Sequence, residues 1–440
     1  MWRTLALAGA TAALPLAVSS GQAVRGVETF DAAWTIIRDT HFDPAMNGVD
    51  WTAVRRELKP LAAAARTEAE LREVIRGMLG RLGQSHFALI PSGAAAVAGV
   101  SLDESGAPGF DVRLVGRDLL VTHVDALGSA AASGVRTGWK LTAVDSRPVS
   151  QILDALPGAM PERLRQVEVW RMAQSWLRGA QGSSVELTFE DGAGRQVTRV
   201  VTRRAEAGQL ATVGNLPTMF VRVESAARRS PAGTAVGVIA FNVWMPAVDA
   251  LFQRAVDEHR SAGGIVLDLR GNPGGLAGML MGISGHFLDE RRPLGVMKTR
   301  DGDLKFMSNP RLVSSTGERV EPFAGPLAIL VDALTGSASE CFTGGMQSLG
   351  RARVFGQISM GQALPALFDK LPNGDVLIHA YGDFVTADGT RLEGRGVIPD
   401  EAVPLRREDL LEGRDATLER ALAWIDRGRT GSGDDGWLPR

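Results

Sequence analysis

Apolar positions recur three and four residues apart through the first fifth of the chain. Phe30, Trp34, Ile37 and Phe42 share one such face, a second repeat runs over 51–61, and a third over 68–82 carries Leu71, Val74, Ile75, Met78 and Leu79. That spacing predicts amphipathic helices, here a helical unit over 26–95 that packs on a larger body. From residue 105 the period shortens to two. Residues 110–114 and 119–124 alternate as a hairpin. Residues 128–144 read as a short helix of small residues, a glycine turn and a strand, and 150–180 read as helix. Residues 185–189 and 197–201 pair across Asp191-Gly192-Ala193-Gly194, which closes a β-rich unit over 105–205. The pattern over 210–427 is α/β. Short unbroken apolar runs at 235–241 and 264–269 flank a helical repeat at 247–260, a strand–helix–strand crossover. A third buried strand at 327–331 leads into a helix at 341–349. Residues 428–440, rich in Gly, Asp, Arg and Ser, read as a flexible tail.

The chain has 440 residues, 45% of them hydrophobic and 22% charged, so it can build several ordinary globular cores. A net charge of −2 implies no basic face for nucleic acid or anionic lipid. The single cysteine, Cys341, excludes an intrachain disulfide and lies on the apolar side of its helix. Trp2-Arg3, the uncharged run 5–18 and the small residues up to Ala23 read as an export signal over 1–23, cut after Ala23. The run is short for a bilayer span, so an uncleaved anchor is the alternative and stable membrane insertion is not expected. An exported chain without disulfides fits a periplasmic or secreted bacterial protein.

The candidate chemistry centres on Thr335-Gly336-Ser337-Ala338-Ser339-Glu340, between the strand at 327–331 and the helix that follows. Ser-x-x-Glu is a capping-box pattern, so Ser337 can be an N-cap. A serine there also has its hydroxyl beside free N–H groups and the positive end of a helix dipole, where acyl-transfer enzymes place a nucleophile. A second turn, Asp268-Leu269-Arg270-Gly271-Asn272-Pro273-Gly274-Gly275, also follows a strand. Ligands of open α/β sheets bind beyond such strand ends, so the two turns can face one cleft. Asp268 and Arg270 read as holding the turn. The Asp, Glu and His residues are too scattered for a metal site, no phosphate-cradling loop exists, and no cofactor is expected.

Two resemblances sharpen this reading. The small-residue helix, glycine turn and strand over 128–144 resemble the core of PDZ domains, with Trp139 in place of the customary acidic residue. Such a unit either adds a peptide as an extra strand or serves as a spacer. The ordered set formed by the 268–275 turn, Ser337-Ala338-Ser339-Glu340, Gly350-Arg351-Ala352 and Gly394-Arg395-Gly396-Val397-Ile398-Pro399-Asp400 resembles the carboxyl-terminal processing protease family. That family includes the tricorn protease core and the retinol-binding modules of the eye, and the match covers about residues 28–425. It implies a multidomain α/β chain: a ClpP/crotonase-like core, an N-terminal helical domain and an inserted PDZ-like β-rich domain. It also implies a Ser337 nucleophile, with the Ala338 amide and a glycine amide of Gly274 or Gly275 as oxyanion hole.

The general base departs from the processing branch. That branch carries a lysine where this chain has Gln362, and a glutamine amide cannot accept the serine proton. Lys370 reads as a solvated surface charge. The tricorn-like branch uses histidine, and the resemblance places His86 in that role, Ser85 beside it and Glu393 as the branch's glutamate. An imidazole of pKa about 6.5 can take the Ser337 proton and return it to a leaving amine. His41, His123, His259, His286 and His379 lie in no motif. The implied function is an exported serine endopeptidase acting on extended or unfolded polypeptides without a cofactor. A non-catalytic peptide- or lipid-binding module on the same fold, or an esterase or amidase for small substrates, are the alternatives. The oligomeric state is not legible.

Overall fold

Three helices lead the chain: α1 (Gly21–Thr40), α2 (Trp51–Ala64) and α3 (Glu68–Gly80). The computed structural model describes residues 21–92, 96–97, 100–101, 104–158, 160–214 and 218–430. Residues 1–20 of the expected export signal and 431–440 of the expected tail lie outside them. Asp50 accepts the Ala53 N–H at 2.8 Å and Thr67 the Glu70 N–H at 3.1 Å. Side-chain caps thus start α2 and α3, each contributing about 1 kcal/mol. Phe30, Trp34, Ile37, Leu58, Leu71 and Ile75 meet in one core.

The helical expectation for 26–95 needs a correction. Ala88–Ile90 is a strand, β1, paired antiparallel with Val376–Ala380 far along the chain. Three residues are too few to display a period. Leu89, Leu371 and Leu377 join the helical core, so this unit is sewn into the larger body. Arg72 on α3 adds a bidentate pair to Asp375, at 2.9 and 2.8 Å, and the Asp375 side chain is fully buried.

The inserted unit is an antiparallel sheet of β2 (Phe110–Val115), β3 (Asp118–Val124), β4 (Lys140–Val144), β5 (Ser184–Glu190) and β6 (Gln196–Thr202). Their order is β6-β5-β4-β3-β2, which leaves β2 at an edge. The two-residue period of β2 is realised as alternating buried and half-buried positions. The stretch read as helix at 150–180 is two helices, Ser150–Asp154 and the longer α4 (Glu162–Leu177).

The larger body is built on a six-stranded sheet. Its order is β7 (Val223–Arg229), β8 (Ala235–Phe241), β9 (Gly264–Asp268), β10 (Leu327–Val331), β11 (Arg353–Gly356) and the short Glu401–Ala402. The β7 strand is antiparallel to β8, and the other pairings are parallel. Strand β10 is buried at every position because both faces are covered. Ile265, Leu267 and Ile329 face the layer holding α5 (Ala247–Glu258) and α6 (Ala338–Ser348). Val266, Ala328 and Leu330 face Ala421, Leu422 and Ile425 of α7 (Ala416–Thr430). Helix α7 runs three residues into the stretch expected to be tail, its apolar face paired with the sheet. Among the described residues no helix is long and apolar enough to cross a membrane.

Candidate active site

The Ser337 turn is shaped by the strand behind it and the helix ahead. Residue Ser337 adopts φ 51° and ψ −119°, a conformation rare outside glycine that lifts the side chain away from the helix it starts. Glu340, one turn into α6, reaches back to the Ser337 N–H at 3.0 Å, while the Ser337 hydroxyl stands 3.2 Å from His86 Nε2. The return half of a capping box and an outward-facing hydroxyl therefore coexist at one residue.

His86 sits on the turn after α3 and also holds a positive φ, 60°. His41 braces this turn. Its ring stacks on Phe87 at 5.5 Å and its Nε2 pairs with Gln84 Oε1 at 2.9 Å. Behind His86, Nδ1 lies 2.8 Å from Ser85 Oγ. Ser85 in turn donates its hydroxyl to Glu393 at 2.8 Å and its N–H to the same carboxylate at 3.0 Å. Glu393 also accepts the Ala363 N–H at 2.9 Å and is half-buried. A hydroxyl carries one hydrogen. Since the Ser85 hydrogen goes to Glu393, Ser85 Oγ accepts from His86 Nδ1–H, which leaves the Nε2 lone pair aimed at Ser337. Burial pushes the His86 imidazole down to about 4, below the value near 6.5 expected from the sequence.

The glycine turn lies directly against Ser337. A Cβ on Gly274 would meet Ser337 Cβ at 2.6 Å and the Ala338 nitrogen at 2.9 Å. Asn272, fully buried, stitches the turns together: its carbonyl accepts the Gly336 N–H at 3.0 Å and its Nδ2 donates to Phe241 O at 2.8 Å. Its Oδ1 takes the Gly274 N–H at 3.0 Å. That bond corrects the expected oxyanion set, because the Gly274 donor is already occupied. Gly275 and Ala338 remain as the expected donors whose N–H groups have no acceptor among the described residues. Trp244 fixes the far side of the turn, accepting from Leu276 N at 2.8 Å while its indole donates to Ser339 Oγ at 2.8 Å.

Several site residues carried no local signal in the sequence. Glu340, read only as a capping partner, is fully buried and also accepts from Ser359 Oγ, Gly361 N and Gln362 N at 2.5, 2.6 and 3.0 Å. Burial pushes its carboxyl up to about 7, against the pull of those donors. Gln362, at the processing branch's lysine position, acts through its backbone, its carbonyl accepting the Ser337 N–H at 2.9 Å. Asp332 joins both turns, taking the Gly271 N–H at 2.8 Å and the Leu334 N–H at 3.0 Å. Lys370 is exposed at the end of the strand Ala366–Lys370. Asp268 and Arg270 hold the turn as expected, Arg270 pairing with Asp268 and with Asp415 on the approach to α7.

This architecture matches known proteins along most of the chain. Residues 235–403 match peptidase family S41, and residues 27–80 match the tricorn protease C1 domain. The likeness is thus to the S41 peptidases, over the strands and turns that carry Ser337. It is 25% identical over 385 residues to a carboxyl-terminal-processing protease of Picosynechococcus, covering 84% of this chain and 82% of that one. It is 26% identical over 411 residues to tricorn protease homolog 1 of Streptomyces coelicolor, covering 90% of this chain. The chain spans only about a third of the length of the Streptomyces relatives it matches. Its fold superposes on the photosystem II D1 C-terminal processing protease with TM-score 0.57 at 22% identity, covering 89% and 98% of the two chains. With mature CPAF the TM-score is 0.63 at 14% identity, over 94% and 99%.

Proposed function

We propose that this chain is an exported serine endopeptidase that hydrolyses peptide bonds of extended or unfolded polypeptides. The observation that carries the reading is the unbroken hydrogen-bonded line Ser337–His86–Ser85–Glu393. Ser337 attacks the scissile carbonyl as His86 Nε2 takes its proton. The imidazolium is stabilised through Ser85 by Glu393 and then returns the proton to the leaving amine. The Ala338 and Gly275 amides receive the oxyanion, Ala338 with the helix dipole of α6 behind it. Water repeats the sequence on the acyl-enzyme. Every step uses side chains and amides already in place, and no cofactor enters. The inserted sheet is assigned as a PDZ-like unit, and the run 5–18 directs the chain to the periplasm or the medium.

A fluorophosphonate probe tests the reading. The purified chain should label stoichiometrically, and Ser337→Ala should abolish labelling. An unlabelled wild-type protein would instead support a binding module on the same scaffold. Peptide against ester substrates, compared by kcat/KM, separate an endopeptidase from a small-substrate esterase.

A further inference from the structure

One ion pair joins the inserted unit to both active-site turns. Arg113, on edge strand β2, donates Nε to Asp332 Oδ2 at 2.8 Å, and its guanidinium lies against Gly271. The other oxygen of Asp332 holds the Gly271 and Leu334 N–H groups. One carboxylate is thus bound from outside by the inserted unit and from inside by the glycine turn and the nucleophile turn. Residues Arg113 and Asp332 are each about 13% exposed at the side chain, so solvent screens the pair little. A second arm of the same unit reaches the opposite rim. On α4, Arg163 donates to the Gly394 carbonyl, next to Glu393, and Val167 packs on Leu334 and Met360.

The strand that would receive a peptide is meanwhile bound to its own helix. Asp111 on β2 accepts from Trp170 Nε1 at 2.9 Å and Gln174 Nε2 at 3.3 Å, and its second oxygen pairs with Arg113 at 2.5 Å. Ligand capture at this edge would have to break the contacts that hold Arg113 in line.

We propose that Arg113 is a positioning residue for the hydrolytic site, setting through Asp332 the spacing between the glycine turn that bears the oxyanion donor and the turn that bears Ser337. The inference rests on the hydrolytic reading above. A misplacement of a fraction of an ångström between nucleophile and oxyanion donor costs rate and leaves ground-state binding intact. On this proposal Arg113 acts through Asp332 and not on the substrate, so its loss should act on kcat.

The test compares wild type, Arg113→Ala, Arg113→Lys, Asp332→Asn and the Arg113→Ala/Asp332→Asn double variant. Each is assayed with a short internally quenched peptide and by fluorophosphonate labelling rate, with circular dichroism to certify folding. Arg113→Ala should lower kcat and labelling rate roughly tenfold with KM within about twofold. Arg113→Lys should recover part of the loss, and the double variant should fall short of the summed singles. A folded Arg113→Ala with wild-type kcat overturns the proposal. So does a loss confined to KM, which would make Arg113 a substrate contact. Should Arg113→Ala not fold, Arg113→Lys, which keeps the cation, is held to the same split: wild-type kcat overturns the proposal and a kcat loss at constant KM supports it. A wild-type protein that neither labels nor cleaves overturns the hydrolytic reading, and this one with it; wild-type activity alongside unaffected Arg113 variants removes only this one.

Discussion

Ser337 Oγ stands 3.2 Å from His86 Nε2, although 251 positions separate the two residues. They belong to different parts of the fold, one to the sheet-borne turn before α6 and the other to the turn after α3. What brings them together is the seam between the helical unit and the strand Val376–Ala380. That seam combines the β1 pairing, the shared apolar core and the Arg72–Asp375 clamp.

Burial sets the pH dependence. A histidine whose folded pKa is pushed down to about 4 stays neutral, and so remains a base, until the pH nears that value. The kcat/KM profile should therefore hold from about pH 8 to about pH 5 and fall below that. The same shift makes folding less favourable on acidification, since the unfolded chain takes up its proton near about pH 6.5 and the folded one only near 4. A stopped-flow series across this range decides it, and an acid limb centred near 6.5 would show that the ring is open to water in the working enzyme.

Glu393→Gln tests the line behind the histidine. The amide can donate to Ser85, which turns the Ser85 hydrogen toward His86 Nδ1 and moves the ring proton to Nε2, the wrong tautomer for a base. We expect kcat to fall roughly a hundredfold or more with KM within about twofold. Ser85→Ala should cost less, and the two losses should not add. Separate additive effects on KM would assign both residues to substrate binding.

Gly274→Ala should silence the site while leaving the fold. The residue has φ +104° and no room beside Ser337, so the added methyl forces the nucleophile turn and the glycine turn apart. Probe labelling should disappear with the far-ultraviolet spectrum retained. Labelling at the wild-type rate would mean the turns are not in register during catalysis.

Arg72→Ala should destabilise the seam. It leaves a fully buried Asp375 without its bidentate partner, at a cost of about 3 kcal/mol. Thermal melts and urea midpoints measure this directly. Asp375 also accepts from the Ser92 N–H at 2.6 Å and from Asn373 Nδ2 at 2.9 Å, so a variant melting within a degree or two of wild type would mean that those two donors suffice alone.

Much of the fold could be read from the chain because its elements carry their own patterns. The three leading helices, the hairpin strands of the inserted unit and the buried runs that became β8, β9 and β10 all show a period or an unbroken apolar stretch. Strand β1 did not, having only three residues and a partner nearly three hundred positions away. The Ser337 turn was legible because a strand pattern abuts a helix pattern there. His86 and Glu393 were reached by resemblance, since a lone histidine after a helix has no local signature. Asp332 and Arg113 were not found at all: they are 219 positions apart, and one charge on an alternating strand looks like any other. Gly274 was placed at the right turn and given the wrong task, because the Asn272 side chain that takes its N–H is visible only in three dimensions.

The central claim is that His86 activates Ser337. Its most direct test is the initial rate of cleavage of an unfolded protein substrate by wild type, Ser337→Ala and His86→Ala at neutral pH, each shown to be folded. The account predicts that both variants lose about a thousandfold or more. A His86→Ala protein that cleaves within a fewfold of the wild-type rate, while Ser337→Ala does not, would contradict it.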